Sequence, residues 1–323
     1  MLPSARTLLT EIIDYAGLFP PAALAMSEAF DRYLAHLAGP DGWMMARFVC
    51  PASRLGELAP MVGRLREDRP GLALSVLGRG GGTSDLFSAG ITSDLHDIAS
   101  FRAAVGSRVL VDQFEVRLPD PPAVLEPVTA MAAEQLKASL TAVSPFFEVS
   151  LLDAWRSRLP EAAEAIGGTL TEGFSAGLKI RCGGLEPAAV PSPVAVAAAI
   201  ATCRRRGVPL KATQGLHHPV RHFDSTLETT VHGFLNIFVA GVLAQTHQLD
   251  EDTLLRILLE EDPSAFRLGP TDLAWRHLEA GLNQISASRE SGVISFGSCS
   301  FTEPLDDLRG LGLLEPEAAE PGN

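Results

Sequence analysis

The chain lacks the marks of several common protein classes. Its four cysteines, Cys50, Cys182, Cys203 and Cys299, are far apart and form no C-x-x-C pair. That excludes a disulfide framework and a zinc knuckle and points to free thiols in a reducing compartment. Basic charge is short as well: 26 Lys and Arg stand against 39 Asp and Glu, a net charge of -13. Nucleic acid and anionic membranes are therefore poor partners. No long hydrophobic run is present, since the longest, Val231 to Ala244, is too short for a bilayer and contains His232 and Asn236. The N-terminus has no basic stretch followed by an apolar core, so no signal peptide is expected. These absences predict a soluble cytoplasmic protein that handles a small molecule.

What is present is an alternation. At 323 residues, 46% of them apolar and 20% charged, the chain can bury a large core. A helix is expected over residues 3–14 and a second over Ser27 to Leu37. Strand-like runs then recur at Met45–Pro51, Leu72–Leu77, Val111–Leu118, Phe146–Leu151, Leu178–Cys182, Leu210–Thr213, Ala265–Gly269 and Val293–Gly297. Helical segments separate them, among them 53–66, 94–105, 123–142, 158–166, 193–205, 226–247, 251–259 and 271–282. Short strands alternating with longer helices mean βαβ units and a parallel sheet. Eight units predict a (β/α)8 TIM-type barrel over residues 41–314, with residues 1–40 as a helical extension and 315–323 as a disordered tail. An open doubly wound sheet would show a glycine-rich fingerprint after its first strand, and Arg47 to Arg54 has none.

Side chains alternate between the two faces of a strand. In four successive strands the apolar set belongs under the helices, so the polar set must enter the barrel. That set is Gln113, Glu115 and Arg117, then Glu148, then Lys179 with Arg181, then Lys211 with Thr213. Ordinary barrels fill this space with branched aliphatic residues. The charges could simply neutralise one another. Desolvating each ion costs several kcal/mol, roughly, and apolar packing would stabilise as well, so the cluster points to function. An acidic protein with cationic strands inside it is suited to a small anionic ligand.

Beyond the sixth strand lie His217, His218 and His222, with His232 further on. They extend the same face toward substrate. No H-x-H or H-E-x-x-H spacing is present, and adjacent loop histidines do not easily aim at one ion. Arg47 and Ser298, at the first and last of these strands, are further candidates for contact with substrate. Cys299 is a weak candidate nucleophile because the sequence offers it no partner.

The segment Lys211-Ala212-Thr213-Gln214-Gly215 resembles the K-x-x-x-G strand end of the barrel-type class I aldolases. The whole chain also resembles bacterial sequences described as β/α-barrel proteins, which implies the fold. The aldolase resemblance implies a lyase in which one late-strand lysine forms an imine and its neighbour tunes it. On this reading Lys211, Lys179 and Glu148 are catalytic, and Arg181, Glu115, His217, His218, Arg47 and Ser298 bind an anionic carbonyl substrate. No cofactor is required. A second reading is a divalent-metal isomerase or hydrolase with Glu115, Glu148, His217 and His218 as ligands. A third is a barrel that binds an anion without chemistry. A homo-oligomer is compatible with all three.

Overall fold

Strands form where β-branched and aromatic residues bracket the few polar groups that a barrel interior can satisfy. The computed structural model describes residues 1–65, 72–140 and 142–314. Eight parallel strands close into a barrel: β1 (Ile13–Tyr15), β2 (Met45–Pro51), β3 (Leu72–Leu77), β4 (Val109–Arg117), β5 (Ser144–Val149), β6 (Gly177–Arg181), β7 (Leu210–Thr213) and, late in the chain, β13 (Val293–Ser298). β13 lies between β7 and β1 and completes the ring. The fold is a (β/α)8 barrel.

The helices enclose it. They are α1 (Pro3–Leu9), α2 (Met26–Ala38), α3 (Leu55–Val62), α4 (Ser84–Val105), α5 (Leu125–Ser139), α6 (Trp155–Gly167) and α7 (Pro193–Arg206). After β7 come α8 (Phe234–His247), α9 (Glu251–Leu258), α10 (Leu282–Ser291) and α11 (Thr302–Gly310). The Ala-rich α7 is capped by Ser192 at one end and by Gly207, at φ 65°, at the other. Among the described residues, no helix is long and apolar enough to cross a membrane.

Three expectations from the sequence are corrected. The helix expected over 3–14 stops at Leu9, and Ile13–Tyr15 is a barrel strand, so the barrel begins at β1 and not at residue 41. Glu11 at φ 47° breaks the helix, and Ile12, Ile13, Asp14 and Tyr15 are buried on both faces, as a central parallel strand requires. The strand expected at 265–269 forms as β10 (Phe266–Leu268), outside the barrel. It pairs antiparallel with β11 (Asp272–Trp275), which continues into β12 (Leu278–Gly281) where a helix was expected over 271–282. The helix expected over 226–247 begins only at Phe234. Before it, β8 (His222–Asp224) and β9 (Thr229–Val231) form a hairpin that overhangs the barrel mouth. The expected tail over 315–323 lies outside the described residues.

The two ends of the barrel differ in purpose. At the N-terminal end, Arg289 of α10 is half-buried and donates hydrogen bonds to the carbonyls of Leu8 (2.8 Å), Thr10 (3.0 Å), Glu11 (3.3 Å), Val293 (2.6 Å) and Ile294. That clamp ties the start of the chain to β13, and burial holds the guanidinium down to about 10. At the C-terminal end, the loops after β6 and β7 touch. A Cβ on Gly183 would stand 2.8 Å from the Cα of Gly215, and Gly215 has φ 70°. Only glycine fits that approach.

Candidate active site

Register builds the site. Lys179 on β6 is the direct neighbour of Glu148 on β5 and of Lys211 on β7. With a parallel register their side chains enter the barrel at one level. Asp14 on β1 and Glu115 on β4 reach the same level from the other side.

Lys211 is fully buried. Its ammonium donates to Glu115 Oε1 at 2.5 Å, Gln113 Oε1 at 2.6 Å and Asp14 Oδ2 at 2.8 Å. The Phe146 ring lies 5.8 Å from it. Lys179 bridges Glu115 Oε2 at 2.7 Å and Glu148 Oε2 at 2.9 Å. Arg181 Nε donates to Glu148 Oε1 at 2.7 Å. Ser75 Oγ donates to Glu115 Oε1 at 2.5 Å, and Ser295 Oγ donates to Asp14. Glu115 is therefore shared by both lysines.

The charges hold one another in place. Burial works to raise the Glu115 carboxyl, but Lys179 and Lys211 together drive it far below the usual carboxylate range. Glu148 is likewise pushed up by burial and brought below its ordinary value by Lys179 and Arg181. Burial works to lower Lys179, yet Glu115 and Glu148 outweigh it and raise the ammonium above its ordinary 10.5. A second cation sits next to it, but the intervening carboxylates dominate.

Above the cluster opens a cavity of about 690 Å³, lined by Glu115, Lys179, Arg181, His217, His218 and Cys299 among others. Lys211 does not line it. Lysine is scarce here: Lys137, Lys179 and Lys211 are the only ones in the chain. Among the described residues, Lys179 is the one lysine on the cavity wall. The β8–β9 hairpin supplies one side of the mouth, including Phe223, which is exposed.

The sequence-derived residues separate into two sets. Lys211, Lys179, Glu148, Glu115 and Arg181 come together as one connected network, and His217 and His218 stand at its mouth. Arg47 does not join the mouth: its guanidinium is taken by Asp112, at 2.8 Å from Nη2, and by Asp14 at 3.5 Å. Ser298 turns away and donates to the carbonyl of Ser300 at 2.6 Å. Arg117 of the expected inward set is exposed and pairs with Asp120 at 2.8 Å. His232 is buried before α8, its Nε2 donating to the carbonyl of Pro191 at 2.8 Å. The alternative metal set is not assembled. Glu115 and Glu148 hold lysines, while His217 and His218 hold Glu303 and Asp307 at 2.8 and 2.5 Å. Among the described residues no group of three or more His, Cys, Asp or Glu is placed to hold a metal ion.

Ser295, Glu303 and Asp307 were not singled out as site residues from the sequence, and Asp14 reads there chiefly as the end of the first helix. Asp14 had a readable signal, an acid between Ile13 and Tyr15. Glu303 and Asp307 had none beyond their spacing of four on a helix.

No family model matches the chain, and no curated protein matches it. Among solved structures it is similar to a deoxyribose phosphate aldolase from Aeropyrum pernix, described as a tetramer. The TM-score is 0.49 and the identity 13%, over 96% of this chain and 97% of that one. A likeness of that size speaks neither to substrate nor to assembly.

Proposed function

We propose that the barrel is a carbon–carbon lyase acting on a small anionic carbonyl compound through an imine on Lys179. The observation that supports this is the position of Lys179: it lines the cavity, with Glu115 and Glu148 both within hydrogen-bond reach. Lys211 is sealed beneath, with no access to substrate. The nucleophile's role therefore goes to Lys179, and Lys211 becomes the positioning residue that keeps Glu115 charged and in place.

The resting ammonium must lose a proton before it can attack. Arg181 lines the cavity and is half exposed, so the substrate's anion meets it first. An anion that competes for Arg181 removes positive charge from Glu148 and raises its affinity for a proton. Glu148 then takes one from Lys179 across their 2.9 Å contact. The free amine adds to the carbonyl carbon, one of its N–H protons passes to the carbonyl oxygen to make a hydroxyl, and Glu148 gives its proton to that hydroxyl, so that water leaves and an iminium remains. In the cleavage direction the carboxylate accepts the proton of the β-hydroxyl. The carbon–carbon bond breaks, its electron pair flows into the iminium to give an enamine, and an aldehyde departs. Protonation of the enamine and hydration release the second product and restore Lys179.

Borohydride added with a panel of small anionic ketones and aldehydes tests this. The intact protein should gain the mass of one reduced adduct, and the Lys179→Arg variant, which keeps the charge but cannot form an imine, should gain none. A folded wild-type protein that traps no member of the panel would remove the lyase reading.

One observation favours a second reading. The raised pKa of Lys179 suits a permanently charged network that only binds an anion at Arg181. That barrel would bind the same anionic compounds and trap none of them.

A further inference from the structure

Glu303 and Asp307 stand one turn apart on α11, and each takes one imidazole from the loop after β7. Holding His217 by Nδ1 directs its Nε2 the other way. There it meets the Cys299 sulfur at 3.9 Å. A thiol, an imidazole and a carboxylate thus stand in sequence, the order in which a nucleophile, its base and the orienting acid are arranged. The imidazole of His217 is raised to about 9, by its contact with Cys299 first and then by Glu303, against the opposing effect of burial. The ring therefore keeps its second proton until about that pH.

The other three cysteines show the contrast. Cys50, Cys182 and Cys203 are buried, and burial pushes each thiol up to about 12. Cys299 is partly exposed and lines the main cavity. It also lines a neighbouring cavity of about 530 Å³, with Tyr15, Arg32 and His36. Lys179 borders the main cavity too, so a carbonyl compound admitted to one nucleophile passes the other.

We propose that Cys299, His217 and Glu303 form a second covalent site, which holds an aldehyde at the cavity mouth as a reversible thiohemiacetal. The sulfur forms a bond to the aldehyde carbon, the carbonyl π electrons move to oxygen, His217 gives its Nε2 proton to that oxygen, and the proton lost from sulfur replaces it on Nε2. Nothing is oxidised or reduced and no group leaves. Glu303 keeps the ring oriented throughout. The ligand class rests on the carbonyl reading of the cavity, but the site does not depend on an imine at Lys179.

The test is alkylation of the full-length chain by iodoacetamide, followed by mass mapping of the labelled thiols. Cys299 should react first and alone in the native protein, and the rate at pH 7 should fall by about tenfold or more in His217→Asn and Glu303→Gln. Glu303 is half exposed, so its variant folds and keeps the test open. Propionaldehyde should slow the labelling of Cys299, reversibly on dilution, in the wild type and equally in Lys179→Arg. A smaller fall in both variants overturns the proposal. So does protection that disappears in Lys179→Arg, which would place the aldehyde on the lysine and leave the lyase reading standing. Protection that persists while borohydride traps nothing supports the thiol site and defeats the lysine one.

Discussion

Two tiers of charge occupy one barrel on different terms. In the lower tier every ion is matched several times: Lys211 meets Asp14, Glu115 and Gln113, and Arg47 meets Asp112 and Asp14. In the upper tier each group has one side taken and another open. Arg181 is held by Glu148 yet 51% exposed, and His217 is held by Glu303 with its other nitrogen toward Cys299. Full pairing makes a rigid field and silences the groups within it. Partial pairing leaves a group oriented and still available. Lys179 lies at the boundary, paired with Glu115 and Glu148 yet on the cavity wall, and on the proposed reading it is the reactive one.

Removing a lower-tier ion should have the largest effect. Lys211→Met leaves Asp14 and Glu115 facing each other without their common counter-ion, and unfolding in urea should show a loss of about 3–5 kcal/mol. A loss below about 1 kcal/mol, the range of exposed pairs, would erase the distinction between the tiers.

pH should separate them next. Glu115 and Glu148 are lowered, so their contribution is complete above their ordinary 4.5 and is lost as pH falls through their folded values. Lys179 is raised, so its contribution is complete below its ordinary 10.5 and is lost above that. His217, raised from 6.5 to about 9, contributes fully below 6.5 and loses its contribution as pH rises through about 9. The mouth should therefore loosen between pH 6.5 and 9 while the lower tier stays intact. Melting curves of wild type and His217→Asn across that range check this: their difference should shrink as pH rises. A constant difference would mean the imidazole is not charged there.

The smallest stability effect is expected at Arg181. Arg181→Gln should shift folding by about 0–1 kcal/mol, because the pair is half exposed and Glu148 keeps Lys179. Binding of an anionic carbonyl compound, followed by calorimetry, should weaken by about tenfold, in the range of a charge-assisted hydrogen bond. A large stability loss with unchanged binding would move Arg181 into the lower tier.

Much of the interior was legible because parallel strands obey a strict alternation. Once Leu178, Ile180 and Leu210, Ala212 were placed outward, Lys179 and Lys211 had to meet inside, and they do. The same rule misplaced Arg117, whose position at the strand end lets it reach solvent. β1 was hidden because three residues carry too little pattern and Glu11 ends α1 without a glycine or proline to announce it. The segment Thr271 to Leu282 was misread because its apolar spacing fits a helix, while antiparallel pairing with β10 decides the outcome. The partner of Cys299 lies 82 residues away in the chain, and only the closing of the barrel brings it near.

The central claim, that the lysine on the cavity wall reacts and the sealed one does not, is tested most directly by a peptide map of the borohydride-reduced adduct. With Lys137, Lys179 and Lys211 the only lysines in the chain, the map has few outcomes. The account predicts the adduct on Lys179, with Lys211 unmodified; an adduct on Lys211 would contradict it.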